Sequence, residues 1–529
     1  MSRRMKWVAG LGAAAAAVLI GLIVAGSTLS RRIEPYIRQQ AEQYLRDRFH
    51  ADVRIASLSV RLPGFSPLHM LFTRGRGTMA TVQGEGIVMR MRDRPDAPVL
   101  FGIRKFTTRI EVGALGDAVQ HVPVVTITGL EINIPPKGER SEARSGKSAG
   151  AAGGREAGSH PSVVIDRLEV KQATLAILPK DRARQPLRID IHACGLQSAG
   201  PGVAMKYDCR LAIPSPRGEI HASGSFGPWH SGEPGDTPLA GDYTFEHADL
   251  GVFRAIAGIL QAKGSFEGEV DAIRARGEAY VPDFRLKRSG NRVPLRAEYE
   301  VLVDGGNGNT ILQPILATLG ATQFTTSGAV FKHEGDSRRT IKLDVNMPRG
   351  RMPDVLRLAM KGEPFMEGSL KLKTRLEIPP LSGKVKDKLR MDGRFDITEA
   401  RFLKSAIQDQ IDSLSRRGQG QPKNREIDEV VSRMTGQFRL GNGVIAFHEL
   451  TFGVSGADVD LDGSYDLDGD ALDFHGALKL QAKVSQLVTG WKRWLLKPVD
   501  PFFSRNGAGT YLKIKVAGSS KAPKFGLDR

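Results

Sequence analysis

The chain has 529 residues, which is more than one ordinary hydrophobic core organises, so its length predicts several units or one elongated unit. Hydrophobic residues make up 40 % of the sequence and charged residues 25 %, which excludes wholesale disorder and a protein with many membrane spans. The 76 Lys and Arg exceed the 58 Asp and Glu, and the net charge of +18 favours anionic partners such as lipid head groups or nucleic acid. With 60 Gly and 6 % aromatic residues, the composition favours strands and turns.

The first thirty residues predict a short cytoplasmic tail and a transmembrane anchor. Residues 7–29 carry no charge, and at about 1.5 Å per residue such a helix covers the roughly 30 Å hydrocarbon layer of a bilayer. A cleaved signal peptide is the alternative, because small residues precede Ser27, but a cleavable apolar core usually has about 7 to 15 residues. We therefore expect an uncleaved anchor in region 1–30, with the rest of the chain on the non-cytoplasmic side.

Three further regions follow. In region 31–136 a helical spacing of apolar residues gives way near Val53 to two-residue alternation, which predicts a helix followed by strands. Residues 137–162 include no large apolar side chain, so this segment cannot bury enough surface to offset the entropy of ordering and is predicted to be a flexible linker. Region 163–529 is predicted to form a β-rich domain.

Alternation is clearest in residues 341–347 (IKLDVNM) and 370–378 (LKLKTRLEI), where every second residue is charged or polar. Strands of this kind have one apolar and one charged face. The same pattern recurs at 168–178, 187–193, 299–303, 459–461, 478–480 and 512–516. The apolar faces must be hidden by closing into a barrel, stacking as a sandwich or curling into a groove, and the pattern alone leaves these possibilities open.

Short helical patterns interrupt the predicted strands and suggest caps or plugs on a sheet. They lie at 252–260, 311–319, 354–360, 401–416, 427–434 and 485–496. The longest carries Phe402, Ile407, Ile411 and Leu414 on one side, and such a stripe favours packing against its own domain.

No motif predicts a catalytic, metal or cofactor site. Gly146-Lys147-Ser148 resembles the end of a phosphate-binding loop, but Ser141 stands where the loop needs Gly. The acidic run from Asp458 to Asp462 imitates a calcium loop, but Gly469 stands where the bidentate Glu belongs, and strand alternation explains the run as well. Zinc-protease, placed Walker and C-x-x-C motifs are absent from the sequence, so we expect no enzyme.

The chain has two cysteines, Cys194 and Cys209, and whether they pair stays open. A turn near Pro201 would place them on neighbouring strands. Strict alternation, however, puts Cys194 with His192 on the polar side and Cys209 with Tyr207 on the apolar side, and directly paired residues share a face.

The order of these segments resembles the AsmA-like superfamily, which includes the TamB proteins. The resemblance begins with the basic tail and single anchor and continues through IEPYIRQQAEQYLRDRFHADVRIASLSVRLPG, residues 33–64. It includes the strand phrases VVTITGLEINIP and VVIDRLEVKQATLAILP, residues 124–135 and 163–179. Near the other end, NGVIAFHELTFGVSGADVDLDGSYDLDGDALDFHGALKL (442–480) and KIKVAGSSKAPKFGL (513–527) are similar to the C-terminal region of that superfamily.

The resemblance implies a mainly β fold, an elongated, curled antiparallel groove with short capping helices behind one transmembrane helix. It implies a bacterial inner-membrane protein whose body lies in the periplasm and handles phospholipid, by transfer or in outer-membrane homeostasis, with acyl chains as its ligands. The chain is much shorter than TamB-type members, which puts in doubt that its groove spans the whole distance between the inner and outer membranes. The groove candidates are the apolar residues of the two clearest strands: Ile341, Leu343, Val345, Leu370, Leu372, Leu376 and Ile378.

Two rival functions follow from the same features. The first is a scaffold or assembly factor for outer-membrane proteins, which would add partner strands at its sheet edges. Separately, the apolar faces could pack on each other as an ordinary sandwich core instead of forming a groove. Nucleic-acid binding, which the net charge of +18 would allow, is disfavoured by the anchor and by the absence of phrases that combine aromatic and basic residues.

A helical stripe near the C-terminus predicts contact with a membrane interface. Trp491, Trp494 and Leu495 lie beside Lys492 and Arg493, and Trp with Lys suits the interface region of a bilayer. The alternative is a helix packed over the end of the groove. The double substitution Trp491→Ala and Trp494→Ala should weaken liposome binding under the first interpretation, whereas unchanged binding would favour the second.

Overall fold

The computed structural model describes residues 51–61, 79–91, 101–111, 119–134, 162–177, 186–199, 204–214, 216–228, 236–305, 308–333, 338–424, 429–487, 509–519 and 522–528, together with position 99 and isolated positions between 38 and 46. The predicted anchor at 1–30 and residues 137–161 of the predicted linker lie outside these ranges. In the described part of the chain, no helix has the length and apolar character needed to cross a bilayer.

The described chain is mainly β, as predicted, and divides into two compact units. The first comprises residues 1–214 and 218–243, and the second comprises 215–217 and 244–529. Strand β9 begins in the first unit and ends in the second, because it includes residues on both sides of position 243. The strands up to that point are β1 Ala51–Arg61, β2 Met79–Met91, β3 Phe101–Glu111, β4 Val119–Ile134, β5 Ser162–Ile177, β6 Leu187–Ala199, β7 Met205–Pro214, β8 Arg217–Phe226 and β9 Pro238–Asp249.

In the first unit, β1 to β7 pair in chain order, and every pair is antiparallel except β4 with β5. A parallel pair requires the connection to run back along the whole strand. The predicted linker at 137–162 falls in the sequence between β4 and β5, which pair within the first unit.

The second unit continues with β10 Ile256–Ala257, β11 Ile259–Glu269, β12 Ala272–Val281, β13 Arg285–Leu286, β14 Leu295–Val303, β15 Thr310–Leu319, β16 Thr322–Phe331, β17 Thr340–Arg351, β18 Met366–Ile378, β19 Arg390–Phe402, β20 Ser432–Gly441, β21 Val444–Val454, β22 Ala457–Asp466, β23 Ala471–Leu480, β24 Thr510–Ser519 and β25 Ala522–Leu527. Its helices are α1 Met352–Ala359, α2 Val385–Lys388 and α3 Ser405–Gly418. Two 3-10 turns lie at Leu250–Val252 and Val484–Gln486.

Strand pairing in this unit follows the chain. From β11, through β12 and β14, to β25, each strand pairs antiparallel with the next, while β10 and β13 form a separate small pair. Strands β11, β12 and β14 to β25 thus form one antiparallel sheet in which each strand pairs with the next strand of that series. Such a sheet keeps the alternation of each strand in step with the next strand.

Two of the six helical patterns are helices in the structure. Helix α1 confirms the prediction at 354–360, and α3 confirms that at 401–416, although it begins at Ser405. The prediction at 252–260 was wrong, because that segment holds the end of a 3-10 turn, β10 and the start of β11. In the described part of 427–434 strand β20 begins at Ser432, and the described part of 485–496 holds only the second 3-10 turn.

The helix predicted at 311–319 was also wrong, since these residues form β15. The register shifts between Leu312 and Ile315, where β15 contains one extra residue opposite β16. This bulge puts Leu312, Ile315 and Leu319 on one face, which imitates helical spacing in the sequence. Pro314 lies within the bulge, where a missing backbone N–H is tolerated.

A β-bulge also explains how the two cysteines come to lie on the same face of the sheet. Cys194 and Cys209 lie directly opposite each other in β6 and β7 and form a disulfide bond. A register shift between Ile191 and Ala193 inserts a residue into β6, so that Cys194 turns to the face that Cys209 occupies. The expectation of opposite faces was wrong because strict alternation fails at a bulge.

We expect a thiol titration of the unreduced, unfolded chain to find no free thiol, because the described structure leaves neither cysteine free. Reduction should lower the melting temperature, since opening a loop of 15 residues removes about 3 kcal/mol. A Cys194→Ser, Cys209→Ser double variant serves as the control and should not respond to the reductant. Two titratable thiols per unreduced chain would contradict the pairing.

Candidate functional site

Strand register in the second unit aligns apolar residues into a row that crosses the sheet. We call it the Leu343 row, and each of its members lies opposite the next member on the neighbouring strand. From β11 to β23 it comprises Phe266, Ala275, Val301, Leu312, Gly328, Leu343, Leu376, Met391, Leu440, Ile445, Tyr465 and Leu472. The side of the sheet that carries this row is the apolar face.

All seven predicted groove residues lie on the apolar face of β17 and β18. Ile341 lies opposite Ile378, and Leu343 lies opposite Leu376. The other members lie farther along the two strands. Val345 faces Thr374, Leu372 faces Met347, and Leu370 lies opposite Gly350, beyond a bulge. The structure therefore brings the seven residues together on one surface.

Most of the Leu343 row remains partly exposed. Leu343 and Leu376 are only half-buried although they lie in the middle of long strands, and Ile341 and Ile378 are also half-buried. In a sheet that packs face to face against a second sheet, mid-strand residues of the inner face are sealed from water. The apolar face is thus accessible along this row rather than closed as a sandwich core.

One end of the apolar face is closed by α1. A buried cluster of Met347, Met366, Leu370, Ile397 and Ala400 lies there, with exposed fractions of 5 % or less, and apolar side chains of α1 pack against it. The helix is also fixed by Asp354, whose carboxylate accepts hydrogen bonds from the backbone N–H of Ala321 at 3.1 Å and from the Thr322 hydroxyl at 2.8 Å. On β17, the apolar-face residues Val345, Leu343 and Ile341 lie farther along the strand than buried Met347 and are partly exposed.

Helix α3 is held mainly by polar contacts. The Asp412 carboxylate accepts hydrogen bonds from the backbone N–H groups of Glu429 and Val430 at 3.1 and 3.0 Å, and Ser415 donates to the carbonyl of Ser455 at 2.8 Å. Of the predicted apolar stripe, Ile411 is buried, Ile407 is exposed and Phe402 belongs to β19. A hydrophobic periodicity cannot reveal an attachment made by hydrogen bonds.

Aromatic rings form part of the apolar face on the later strands. The rings of Phe395, Phe438, Phe447 and Phe474 lie side by side, with neighbouring centroids 5.8 to 6.4 Å apart. Gly393 lies opposite Phe438, and a Cβ atom there would come within 2.8 Å of the ring. The missing side chain leaves room for the ring to lie over the backbone. The sequence pattern does not predict this pairing of Gly393 with Phe438, because the pairing depends on the register of β19 and β20.

The opposite face carries cross-strand ion pairs. Arg375 pairs with Asp344 at 3.1 Å, and Arg439 pairs with Asp392 at 2.8 Å. A cavity of ≈ 530 Å³ lies among these side chains, and Val345 is the one predicted groove residue that borders it. Arg375 and Arg439 are neutralised by these pairs, and Lys373 and Arg394 also line the cavity. Exposed ion pairs of this kind add little stability to the fold, so their main effect is to make this face of the sheet polar and solvated.

The acidic run that imitates a calcium loop is part of β22. Asp460 accepts hydrogen bonds from Lys479 at 2.7 Å and from Thr451 at 3.1 Å, and the Lys479 pKa is raised by its hydrogen bond to Asp460. Asp462 accepts a hydrogen bond from the backbone N–H of Glu449 at 3.0 Å. Among the described residues, no three His, Cys, Asp or Glu side chains are grouped to hold a metal ion.

Loops from distant strands meet around the connection between β18 and β19. Arg254 donates to the Gly383 carbonyl at 3.3 Å, and Arg288 donates to the Leu467 carbonyl at 3.3 Å. Lys386 forms an ion pair with Asp468, and this hydrogen bond holds the Asp468 pKa below its usual value. The contact of Arg288 with Leu467 joins the segment after β13 to the turn after β22, which requires the sheet between them to curve.

The predicted membrane-interface residues Trp491, Trp494 and Leu495 lie outside the described residues.

Comparison of the chain with protein-family models, with curated proteins and with solved structures found no match.

A matched pair of substitutions in β18 tests whether the apolar face is open. Leu370→Ala should lower the free energy of unfolding by about 2–5 kcal/mol, because Leu370 is 4 % exposed beneath α1. Leu376→Ala should cost clearly less, about 1 kcal/mol, because its side chain already contacts water. Denaturant unfolding measures both values. Equal losses at the two positions would mean that a second layer seals the face.

Proposed function

We propose that the apolar face of the second unit holds the acyl chains of phospholipids. On this proposal the protein is a lipid-handling member of the AsmA-like superfamily, acting in phospholipid transfer or outer-membrane homeostasis. It is anchored in a bacterial inner membrane through residues 1–30, with its body in the periplasm. The observation that carries the proposal is the partly exposed Leu343 row, because soluble proteins rarely leave a long apolar surface open without a ligand or partner.

The cost of exposing hydrocarbon to water explains how such a surface would act. Each CH₂ group of an acyl chain costs about 0.8 kcal/mol to transfer from an apolar environment into water. A continuous row of apolar side chains can contact an acyl chain along its whole length. An acyl chain that leaves the bilayer onto this row is therefore never fully exposed to water. The head group can remain in water outside the row.

The direction of curvature supports this use of the apolar face. Helix α1 packs on that face, and Asn291 donates a hydrogen bond to the Met360 carbonyl at the end of α1 at 2.9 Å. The segment that carries Asn291 also carries Arg288, which reaches Leu467. Since this segment passes on the side of α1, the sheet curves towards its apolar face. An apolar surface on the inside of a curve is suited to surround a hydrocarbon chain.

The length of the row is also suited to lipid. With about 4.8 Å between neighbouring strands, the path from β11 to β23 measures about 50 Å. This exceeds the roughly 30 Å hydrocarbon thickness of a whole bilayer. The surface is therefore long enough for an acyl chain to lie on it in more than one position. A disulfide between Cys194 and Cys209 also suits an oxidising compartment such as the periplasm.

The rival scaffold function gains less support from the described strand edges. Backbone groups of β1 are engaged by side chains, because Arg46 donates to the Val53 carbonyl at 2.9 Å and Glu42 accepts from the Ile55 N–H at 2.9 Å. Strand β25 has six residues, among them Pro523 and Lys524. Short strands, proline and lysine are common protections against pairing with another chain.

Site-specific photo-crosslinking tests the proposal. A photoreactive residue at Leu343 should form adducts with phospholipid when the full chain is purified from membranes, because this position lies in the Leu343 row. The same residue at Asp344 is the matched control, since it projects from the charged face of the same strand. Mass spectrometry of the adducts provides the measurement. No lipid adduct at Leu343, or equal adducts at both positions, would overturn the proposal.

A further inference from the structure

Three cationic side chains converge on the connection between β18 and β19. Arg338 and Lys388 both donate to the Leu381 carbonyl, at 3.0 and 2.8 Å, and Arg254 donates to the Gly383 carbonyl at 3.3 Å. Because Arg338 and Lys388 share one acceptor, their charged nitrogens lie close together. They come from segments far apart in the sequence, so the folded unit holds them in this position.

Carboxylates do not neutralise this cluster within the described part of the chain. The acceptors of all three cations are backbone carbonyls, whereas nearby Lys386 has Asp468 as its partner. Burial lowers the Lys388 pKa, and the positive charges of Arg338 and Arg254 lower it further. Arginine carries five N–H donors and lysine three, so among the described residues most of these donors have no partner and could bind a ligand.

The cluster lies at the end of the predicted groove strands. Arg338 precedes Ile341 by three residues in the sequence, and Leu381 follows Ile378 by three. Ile341 and Ile378 are opposite each other on the apolar face, and Leu381 is itself 55 % exposed. Positive charge therefore adjoins accessible apolar surface. This combination matches a ligand with a hydrocarbon tail and an anionic head.

We infer that Arg254, Arg338 and Lys388 bind a phosphate group, in the position of a phospholipid head group whose acyl chains rest on Ile341 and Ile378. The inference rests on the proposed function. Guanidinium groups can donate two parallel hydrogen bonds to phosphate oxygens, and an ammonium group adds a compact charge. Free phosphate has the same chemistry and is the other source of such a group.

The experiment compares two triple variants of the full chain, purified in mild detergent with equimolar phosphatidylglycerol and phosphatidylcholine. The first variant is Arg254→Gln, Arg338→Gln, Lys388→Gln. The control, Lys371→Gln, Lys373→Gln, Arg394→Gln, removes the same charge from exposed positions of β18 and β19. Bound lipid is quantified by mass spectrometry. The native chain and the control should retain more phosphatidylglycerol, and the first variant should lose at least about fivefold of that preference, since each cation near an anionic surface contributes about 1 kcal/mol.

Equal preference in the two triple variants, when both melt at the native temperature, would overturn the inference. Competition with inorganic phosphate distinguishes the two sources. If inorganic phosphate binds the native chain and not the first variant, while no phosphatidylglycerol preference is found, the cluster takes free phosphate. Crosslinking at Leu343 reports on the acyl chains separately, so a missing adduct there with an intact phosphate effect would refute the proposed function and leave the phosphate site standing.

Discussion

Apolar side chains on alternate positions of a strand must leave water, and in the second unit of this protein that requirement falls on a single face of one sheet. The antiparallel strands follow one another in chain order, so the alternation of each strand continues into the next. Helix α1 satisfies the requirement at one end of the strands, where the buried cluster lies. Along the Leu343 row it is only partly satisfied. The proposed acyl-chain ligand is inferred from this incomplete burial.

Bulges keep the apolar face continuous. An extra residue in β15, between Leu312 and Ile315, would move the rest of the strand to the wrong face if the sequence alternated strictly. The sequence compensates by shifting its apolar residues by one position, so that Leu319 stays buried with Ile315. Bulges also bend the strand and increase its twist, which favours a curved sheet. The irregularities in the alternation therefore mark bulges that keep the apolar residues on one face and favour a curved sheet.

Charge is distributed in two different ways. On the face opposite the Leu343 row, cross-strand partners such as Arg375 and Asp344 neutralise each other. At the ends of β17 and β18, Arg338 and Lys388 share a carbonyl group rather than a carboxylate. The net charge of +18 does not reveal this difference. Among the described residues Arg338 and Lys388 have no carboxylate partner, and a cation without such a partner retains a stronger field for an anionic ligand than a paired cation does.

Two-residue alternation is a local property, and it was enough to predict a mainly β protein, the strands around 341–347 and 370–378 and the face on which their apolar residues lie. Helical spacing likewise predicted α1 and most of α3. The strand at 311–319, the pairing of Cys194 with Cys209 and the parallel pairing of β4 with β5 became visible in the folded chain. These features depend on bulges and on pairing between distant segments, which local periodicity does not encode. The row of residues from β11 to β23 and the convergence of Arg254, Arg338 and Lys388 likewise depend on register and curvature, which arise only when the whole sheet is assembled.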